Sequence, residues 1–125
     1  MSDFQFVKAN DLKHAYALLA KLGEAALPVA GGTNVLPLIR SGKAGDRTLV
    51  NIQALESLSG IRLYRGRVTI GSLNTIASLA RSELLRYKAP ALYMAAHVFA
   101  DPVTRNSATL GGNLAFSSPA ADTAP

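Results

Sequence analysis

This chain of 125 residues, 49% of them apolar, is long enough to build the core of one domain and is not a disordered tail. Its formal net charge of +5 favours anionic ligands, but the basic residues are scattered along the sequence, so no nucleic-acid-binding surface is expected. Because the chain has no cysteine, it has no disulfide, no thiol nucleophile and no thiolate ligand for an iron–sulfur cluster. Any such cluster would have to belong to a partner.

The N-terminus carries charged residues where a signal peptide would need an apolar stretch: Asp3, Lys8, Asp11 and Lys13. No segment approaches the length of a membrane span. We therefore expect a cytoplasmic protein that does not contact a membrane.

The first predicted elements form a β-α-β unit. Residues 4–7 read as a short strand, and the apolar residues from Leu12 to Leu22 recur at helical spacing. Asn10 or Asp11 is the expected N-cap of this helix, and Gly23 stands where a C-terminal cap belongs. Residues 27–30 form the second strand, for which parallel pairing and a right-handed crossover are expected.

A glycine motif joins the second strand to a helix predicted over about 34–41: Ala30, Gly31, Gly32, Thr33 and Asn34. Thr33 is the expected N-cap, and Pro37 is tolerated because it falls in the first helical turn. Backbone N–H groups at such a turn attract anions, so it can hold a phosphate, or it can be only a tight connection. The sequence matches neither the usual dinucleotide fingerprint nor the P-loop.

In the middle of the chain the predicted strand pairing changes from parallel to antiparallel. A strand is predicted over 48–52, then a β-hairpin with strands at 61–64 and 67–70 around Arg65 and Gly66. We place a subdomain boundary near 56–59, giving subdomains 1–56 and 57–125. A helix capped by Asn74 or Thr75 is predicted to follow, with Leu85 as the furthest residue to which it could extend. Another spans about 90–98, with one apolar side formed by Leu92, Ala95, Ala96 and Phe99, and is broken at Asp101 and Pro102.

A second glycine motif lies near the end of the chain and repeats the pattern of the first: Thr109, Leu110, Gly111, Gly112 and Asn113. Two such turns could clamp one diphosphate. The stretch 109–125 is rich in small residues, and Asp122 is its only charged residue. By composition this stretch could also be a flexible tail.

Together these motifs resemble a known family. The chain is similar to the N-terminal part of the FAD-binding (medium) subunit of molybdenum hydroxylases, a group that includes carbon monoxide dehydrogenase and xanthine dehydrogenase. The resemblance covers the whole chain and is strongest at 30–40, 101–106, 109–113 and 118–123. It implies a mixed α+β fold with two small subdomains of the vanillyl-alcohol-oxidase/PCMH type, a β-α-β unit followed by a hairpin-containing mixed sheet with helices.

The resemblance also implies a set of FAD-binding residues. Both glycine motifs would embrace the FAD diphosphate through backbone N–H groups, and Asp122 would accept hydrogen bonds from the flavin side. Val35, next to the first motif, is added to this set. Phe99 and Ala100 match positions beside the flavin in some members, although Phe99 is read more simply as a core residue.

The function implied by the resemblance is electron transfer. Substrate would be hydroxylated at a molybdopterin cofactor in a large subunit, and electrons would pass through 2Fe-2S clusters of a small subunit to FAD here and then to an external acceptor. No residue of this chain is predicted to be catalytic or to bind a metal. His14 and His97 are expected to be structural.

Two features depart from the family. Phe116 stands where many members have a small polar residue, and the family's subunits continue well beyond position 125. We therefore expect a truncated second subdomain, and a chain that by itself binds FAD weakly and is inactive. Two alternatives remain open: a non-catalytic domain that keeps the fold and an assembly surface but binds no flavin, and a diphosphate-binding module for another nucleotide.

Overall fold

A computed structural model describes residues 4–116 and Thr123. The chain divides into two compact units, Met1–Ser57 and Leu58–Pro125. The elements of the first unit are β1 (Phe6–Lys8), α1 (Leu12–Leu22), β2 (Ala26–Val29), α2 (Val35–Arg40) and β3 (Thr48–Asn51). Those of the second unit are β4 (Ile61–Tyr64), β5 (Arg67–Ile70), α3 (Ile76–Ala80), α4 (Glu83–Lys88), α5 (Pro90–Val98), α6 (Pro102–Ser107) and α7 (Leu110–Phe116). Within the described residues, every helix is too short or too polar to span a membrane.

The first unit is built on a three-stranded parallel sheet in the order β1-β3-β2. The strands and helix of the predicted β-α-β unit are present, but β1 and β2 are not neighbours because β3 pairs with both. Strand β3 takes the centre since Thr48, Leu49 and Val50 are all buried, as a central parallel strand requires. Pro28 lies on edge strand β2, where its missing N–H costs no ladder hydrogen bond.

Helix α1 has the bounds and caps that its sequence predicts. The Asp11 carboxylate accepts a hydrogen bond from the His14 N–H at 2.7 Å, which closes the N-terminal end. Gly23, with φ of +54°, ends the helix in the left-handed region. The helix packs on β2 and β3 through its apolar side.

The second unit opens with the predicted hairpin, in which β4 and β5 pair antiparallel. Arg65 and Gly66 have φ values of +48° and +76°, which is the conformation of a two-residue type I′ turn. The helix predicted to follow Asn74 or Thr75 ends at Ala80 and does not extend to Leu85. The Ser82 hydroxyl accepts from the Leu85 N–H at 3.2 Å and starts the separate helix α4. The fold class, mixed α and β, is confirmed.

Helix α5 has its predicted bounds and carries Ala96 into the core of the second unit. Two later helices were not expected. Asp101 and Pro102, read as a helix breaker, also start α6, because the Asp101 carboxylate caps the Thr104 N–H at 2.9 Å. Helix α7 occupies the second glycine motif. A buried apolar cluster of the second unit consists of Ile76, Leu79, Leu85, Ala96, Phe99, Ala108 and Leu110.

Gly71 is the most crowded glycine in the second unit. A Cβ at this position would lie 2.6 Å from the carbonyl carbon of Leu58 and 2.7 Å from the Cα of Ser59. The close approach of the two backbones lets the Gly71 N–H donate to the Gly60 carbonyl at 2.8 Å and the Leu73 N–H to the Leu58 carbonyl at 2.9 Å. These bonds attach the hairpin to the segment that leads into α3.

We expect Gly71→Ala to lower the free energy of unfolding by about 2–3 kcal/mol, since backbone atoms cannot move aside as a side chain would. Gly42→Ala is the matched control, because Gly42 has φ of +71° and no atom within 4 Å of its Cβ position. Gly42→Ala should lower the free energy of unfolding by about 1 kcal/mol, because alanine is strained only by the left-handed conformation there. Urea unfolding measures both, and equal losses would contradict the crowding argument.

Candidate functional site

The first glycine motif, residues 30–34, follows the C-terminal end of edge strand β2 in the first unit. Gly32 has φ of +76°, a left-handed conformation that favours glycine. Its carbonyl accepts the Leu36 N–H at 2.9 Å, so helical hydrogen bonding begins at Gly32. The C-terminal edge of a parallel sheet is where open α/β sheets bind ligands.

Backbone donors remain available in this motif. Within the described part of the chain, the N–H groups of Thr33, Asn34 and Val35 have no hydrogen-bond acceptor. Asn34, not the predicted Thr33, is the N-cap of α2; it is already in the right-handed helical region and its side chain makes no capping bond. The prediction that Thr33 caps the helix was therefore wrong. A helix that starts without a side-chain cap leaves its first N–H groups unpaired.

The second glycine motif, residues 109–113, is not a turn like the first. Thr109 forms an isolated antiparallel bridge with Thr75, and α7 begins at Leu110. Neither Gly111 nor Gly112 has a positive φ. Gly111 is required for space, because a Cβ there would lie 2.7 Å from the Ser72 Cβ and 2.9 Å from the Ser72 carbonyl oxygen. Glycine is therefore required for its backbone conformation at Gly32 in the first motif, and for lack of space at Gly111 in the second motif.

Four backbone donors of the second motif, the N–H groups of residues 110–113, are used inside the protein. The Gly111 N–H donates to the Ser72 carbonyl at 2.8 Å, and the Gly112 N–H donates to the Thr109 hydroxyl at 3.1 Å. The two remaining bonds are Leu110 N–H to the Asn74 carbonyl at 2.9 Å and Asn113 N–H to the Thr109 carbonyl at 3.0 Å. The sequence did not predict that residues 72–74 would accept hydrogen bonds from the second motif. The signal that the sequence carries for this contact is the pair of small residues at 71 and 72.

Side chains of the second motif keep unused donors. The Thr109 hydroxyl accepts from Gly112, so its own hydrogen is free to donate. The Thr123 hydroxyl donates to Oδ1 of Asn113, which leaves the Asn113 amide NH₂ for another acceptor. Asp122 lies outside the described residues, and its role stays a prediction.

Phe99 and Ala100 belong to the second unit, as the second motif does. Phe99 is buried in the core, as its simpler interpretation predicted. Ala100 has φ of +41°, which is uncommon for a residue with a Cβ, and its carbonyl accepts from Nη2 of Arg105 at 3.3 Å. A position beside a flavin remains a prediction for both residues.

Both histidines have local contacts. Nδ1 of His14 accepts the Asn10 N–H at 3.1 Å and reinforces the cap of α1. Nδ1 of His97 lies 2.9 Å from the Tyr93 carbonyl, and the two rings are 4.5 Å apart. These contacts support structural roles. Within residues 4–116 and Thr123, no three His, Asp or Glu side chains are grouped so as to hold a metal ion.

Comparisons with known proteins identify the family of this chain. Residues 2–125 match the family model described as the FAD binding domain in molybdopterin dehydrogenase. The chain belongs to this family, which confirms the resemblance drawn from its motifs.

Three relatives illustrate the match. The chain is 35% identical over 119 residues to the carbon monoxide dehydrogenase medium chain of Afipia carboxidovorans, covering 95% of this chain and 41% of that protein. It is 38% identical over 126 residues to the xanthine dehydrogenase FAD-binding subunit of Escherichia coli O157:H7, covering 99% and 43%. The crystal structure of a Cu,Mo-CO dehydrogenase superposes with a TM-score of 0.91 at 35% identity, covering 95% and 42%. The chain thus spans about two fifths of the length of these relatives.

We expect Thr109→Val to destabilise the second unit by about 1 kcal/mol, because it keeps the side-chain volume but removes the hydroxyl that caps the Gly112 N–H. Thr109→Ser keeps the hydroxyl and should lose less than Thr109→Val. Thermal unfolding monitored by circular dichroism compares the two. A Val variant as stable as the parent would show that the cap contributes nothing.

Proposed function

We propose that this protein binds FAD as part of the FAD subunit of a molybdenum-containing hydroxylase and serves electron transfer there. The observation that carries the proposal is the row of unpaired N–H groups in the first glycine motif, in a chain that matches the FAD-binding family over residues 2–125. Relatives named as medium chains or FAD-binding subunits of dehydrogenases support the same assignment.

The residues of the first motif fit an FAD diphosphate. Gly32 turns the chain in the left-handed region, and the N–H groups of Thr33, Asn34 and Val35 are without acceptors in the described residues. An anionic phosphate satisfies several such donors at once. We assign the diphosphate contact of Ala30, Gly31, Gly32, Thr33, Asn34 and Val35 to the backbone.

The second motif would act differently. The N–H groups of residues 110–113 already have acceptors, so we assign its cofactor contacts to the Thr109 hydroxyl and the Asn113 amide. Leu110, Gly111 and Gly112 would place these side chains through the packing of α7 on Ser72. Asp122, Phe99 and Ala100 complete the proposed set on the resemblance alone.

The protein would contribute binding and orientation, while FAD, when bound, supplies the redox chemistry. Without cysteine the chain has no thiolate for an iron–sulfur cluster. The family resemblance implies that the 2Fe-2S clusters would belong to a small partner subunit and the molybdopterin to a large one. Electrons would leave the small subunit for an external acceptor by way of this subunit. A cytoplasmic location of the assembly is part of the same proposal.

The first test compares two glycines of the same unit with nearly the same conformation, Gly32 at φ +76° and Gly42 at φ +71°. Valine is strained at both, so both variants should lose similar stability. Only Gly32→Val should also weaken FAD binding, by about tenfold or more, because it displaces the N–H groups of the motif. Flavin absorbance after equilibrium dialysis in the full-length subunit measures affinity.

If Gly32→Val and Gly42→Val bind flavin with equal affinity, the first motif does not take part in FAD binding. If ADP binds with normal affinity while flavin does not bind to the parent protein, the pocket serves another nucleotide. If neither binds, the domain keeps the fold without a cofactor.

We further propose that these 125 residues by themselves bind FAD weakly and have no dehydrogenase activity. The family resemblance assigns much of the cover over the isoalloxazine ring to the part of the relatives that this chain does not span. Leaving roughly 150 Å² of ring surface exposed forfeits about 4 kcal/mol at about 25 cal/mol per Å², close to a thousandfold in affinity. The purified 125-residue protein should be colourless near 450 nm, and stoichiometric yellow FAD would contradict this.

A further inference from the structure

A basic cavity in the second unit is lined by none of the residues assigned to FAD above. It has a volume of about 290 Å³ and lies among α3, α5 and α6. No acidic residue lines it, whereas two arginines and a histidine do. Its lining residues are Ala77, Ala80, Arg81, His97, Pro102, Arg105 and Asn106.

Arg105 has an incompletely paired guanidinium in this cavity. Its Nη2 donates to the Ala100 carbonyl at 3.3 Å, but its Nε is buried and has no hydrogen-bond partner in the described part of the chain. The nearby carboxylate of Asp101 is already engaged by Thr104, whose hydroxyl lies 2.6 Å away and whose N–H lies 2.9 Å away. These bonds lower the pKa of Asp101. Among the described residues, Asp101 and Arg105 form no ion pair with each other.

The other polar lining residues also have unused capacity. Arg81, at the C-terminal end of α3, makes no ion pair within the described residues, where the only such pair joins Arg86 to Glu83. Nδ1 of His97 must carry a proton to donate to the Tyr93 carbonyl at 2.9 Å, which leaves Nε2 free. Asn106 adds an amide that can donate or accept.

We propose that this cavity binds an oxyanion, a phosphate or carboxylate group, through Arg81 and Arg105. Both guanidiniums are permanently charged, and their planar forks match the oxygen geometry of these groups. An anion would give the buried Nε of Arg105 the acceptor that it lacks. The volume suits one such group or a small acid, and is too small for a dinucleotide.

Titration calorimetry on the full-length subunit saturated with FAD tests the proposal, with inorganic phosphate and acetate added at constant ionic strength. Arg81→Ala and Arg105→Met should each weaken the anion by about tenfold or more, the size of a lost charged hydrogen bond. Arg86→Ala is the matched control, an exposed arginine outside the cavity, and should bind as the parent does. Binding of both anions indicates general oxyanion recognition, and binding of one identifies its class.

The proposal is overturned if neither anion binds, or if Arg86→Ala loses as much affinity as the cavity variants. It is also overturned if Arg81→Ala lowers the FAD content, because the cavity would then belong to the flavin site. Arg81 is exposed, so its replacement tests the site even if Arg105→Met fails to fold. Unchanged FAD content with lost anion binding separates this site from the proposed FAD function.

Discussion

The second unit depends on the backbone hydrogen bonds of the segment 71–74. Gly71 and Leu73 donate toward the start of the hairpin, at Gly60 and Leu58, while the carbonyls of Ser72 and Asn74 accept from the beginning of α7. The Asn74 amide adds bonds to the carbonyls of Gly60 and Gly71 at 2.8 and 2.9 Å. One short segment therefore satisfies backbone groups of both hairpin and helix, and tolerates little added volume at Gly71 or Gly111.

This arrangement gives the two glycine motifs different chemistry. In the first motif the backbone donors after Gly32 have no acceptor in the described residues, and they suit an external anion. In the second motif Ser72, Asn74 and Thr109 take up the donors before any ligand arrives. Hydrogen-bond capacity there is left to side chains. The two motifs look equivalent in sequence and differ in which of their backbone N–H groups have an acceptor in the described residues.

The start of α6 places a capping carboxylate, that of Asp101, close in sequence to the guanidinium of Arg105. Asp101 accepts hydrogen bonds from the Thr104 N–H and hydroxyl at the start of α6. In the described part of the chain, the guanidinium of Arg105, one turn later, donates to the Ala100 carbonyl and forms no ion pair with Asp101. The scattered positive charge of the chain therefore includes at least one group, Nε of Arg105, that is buried and without an acceptor in the described residues.

The sequence by itself determined the features that depend on neighbours along the chain: the bounds of α1 and α5, the hairpin turn at Arg65 and Gly66, and the position of both glycine motifs. Periodicity, caps and turn residues act over a few positions and can be read locally. Tertiary structure alone decided that β3 enters between β1 and β2, that the motif after Thr109 is helical, and which N–H groups remain free. The physical reason is that the partners that settle these points, such as Ser72 and Asn74 for α7, lie far away in sequence and become neighbours only on folding.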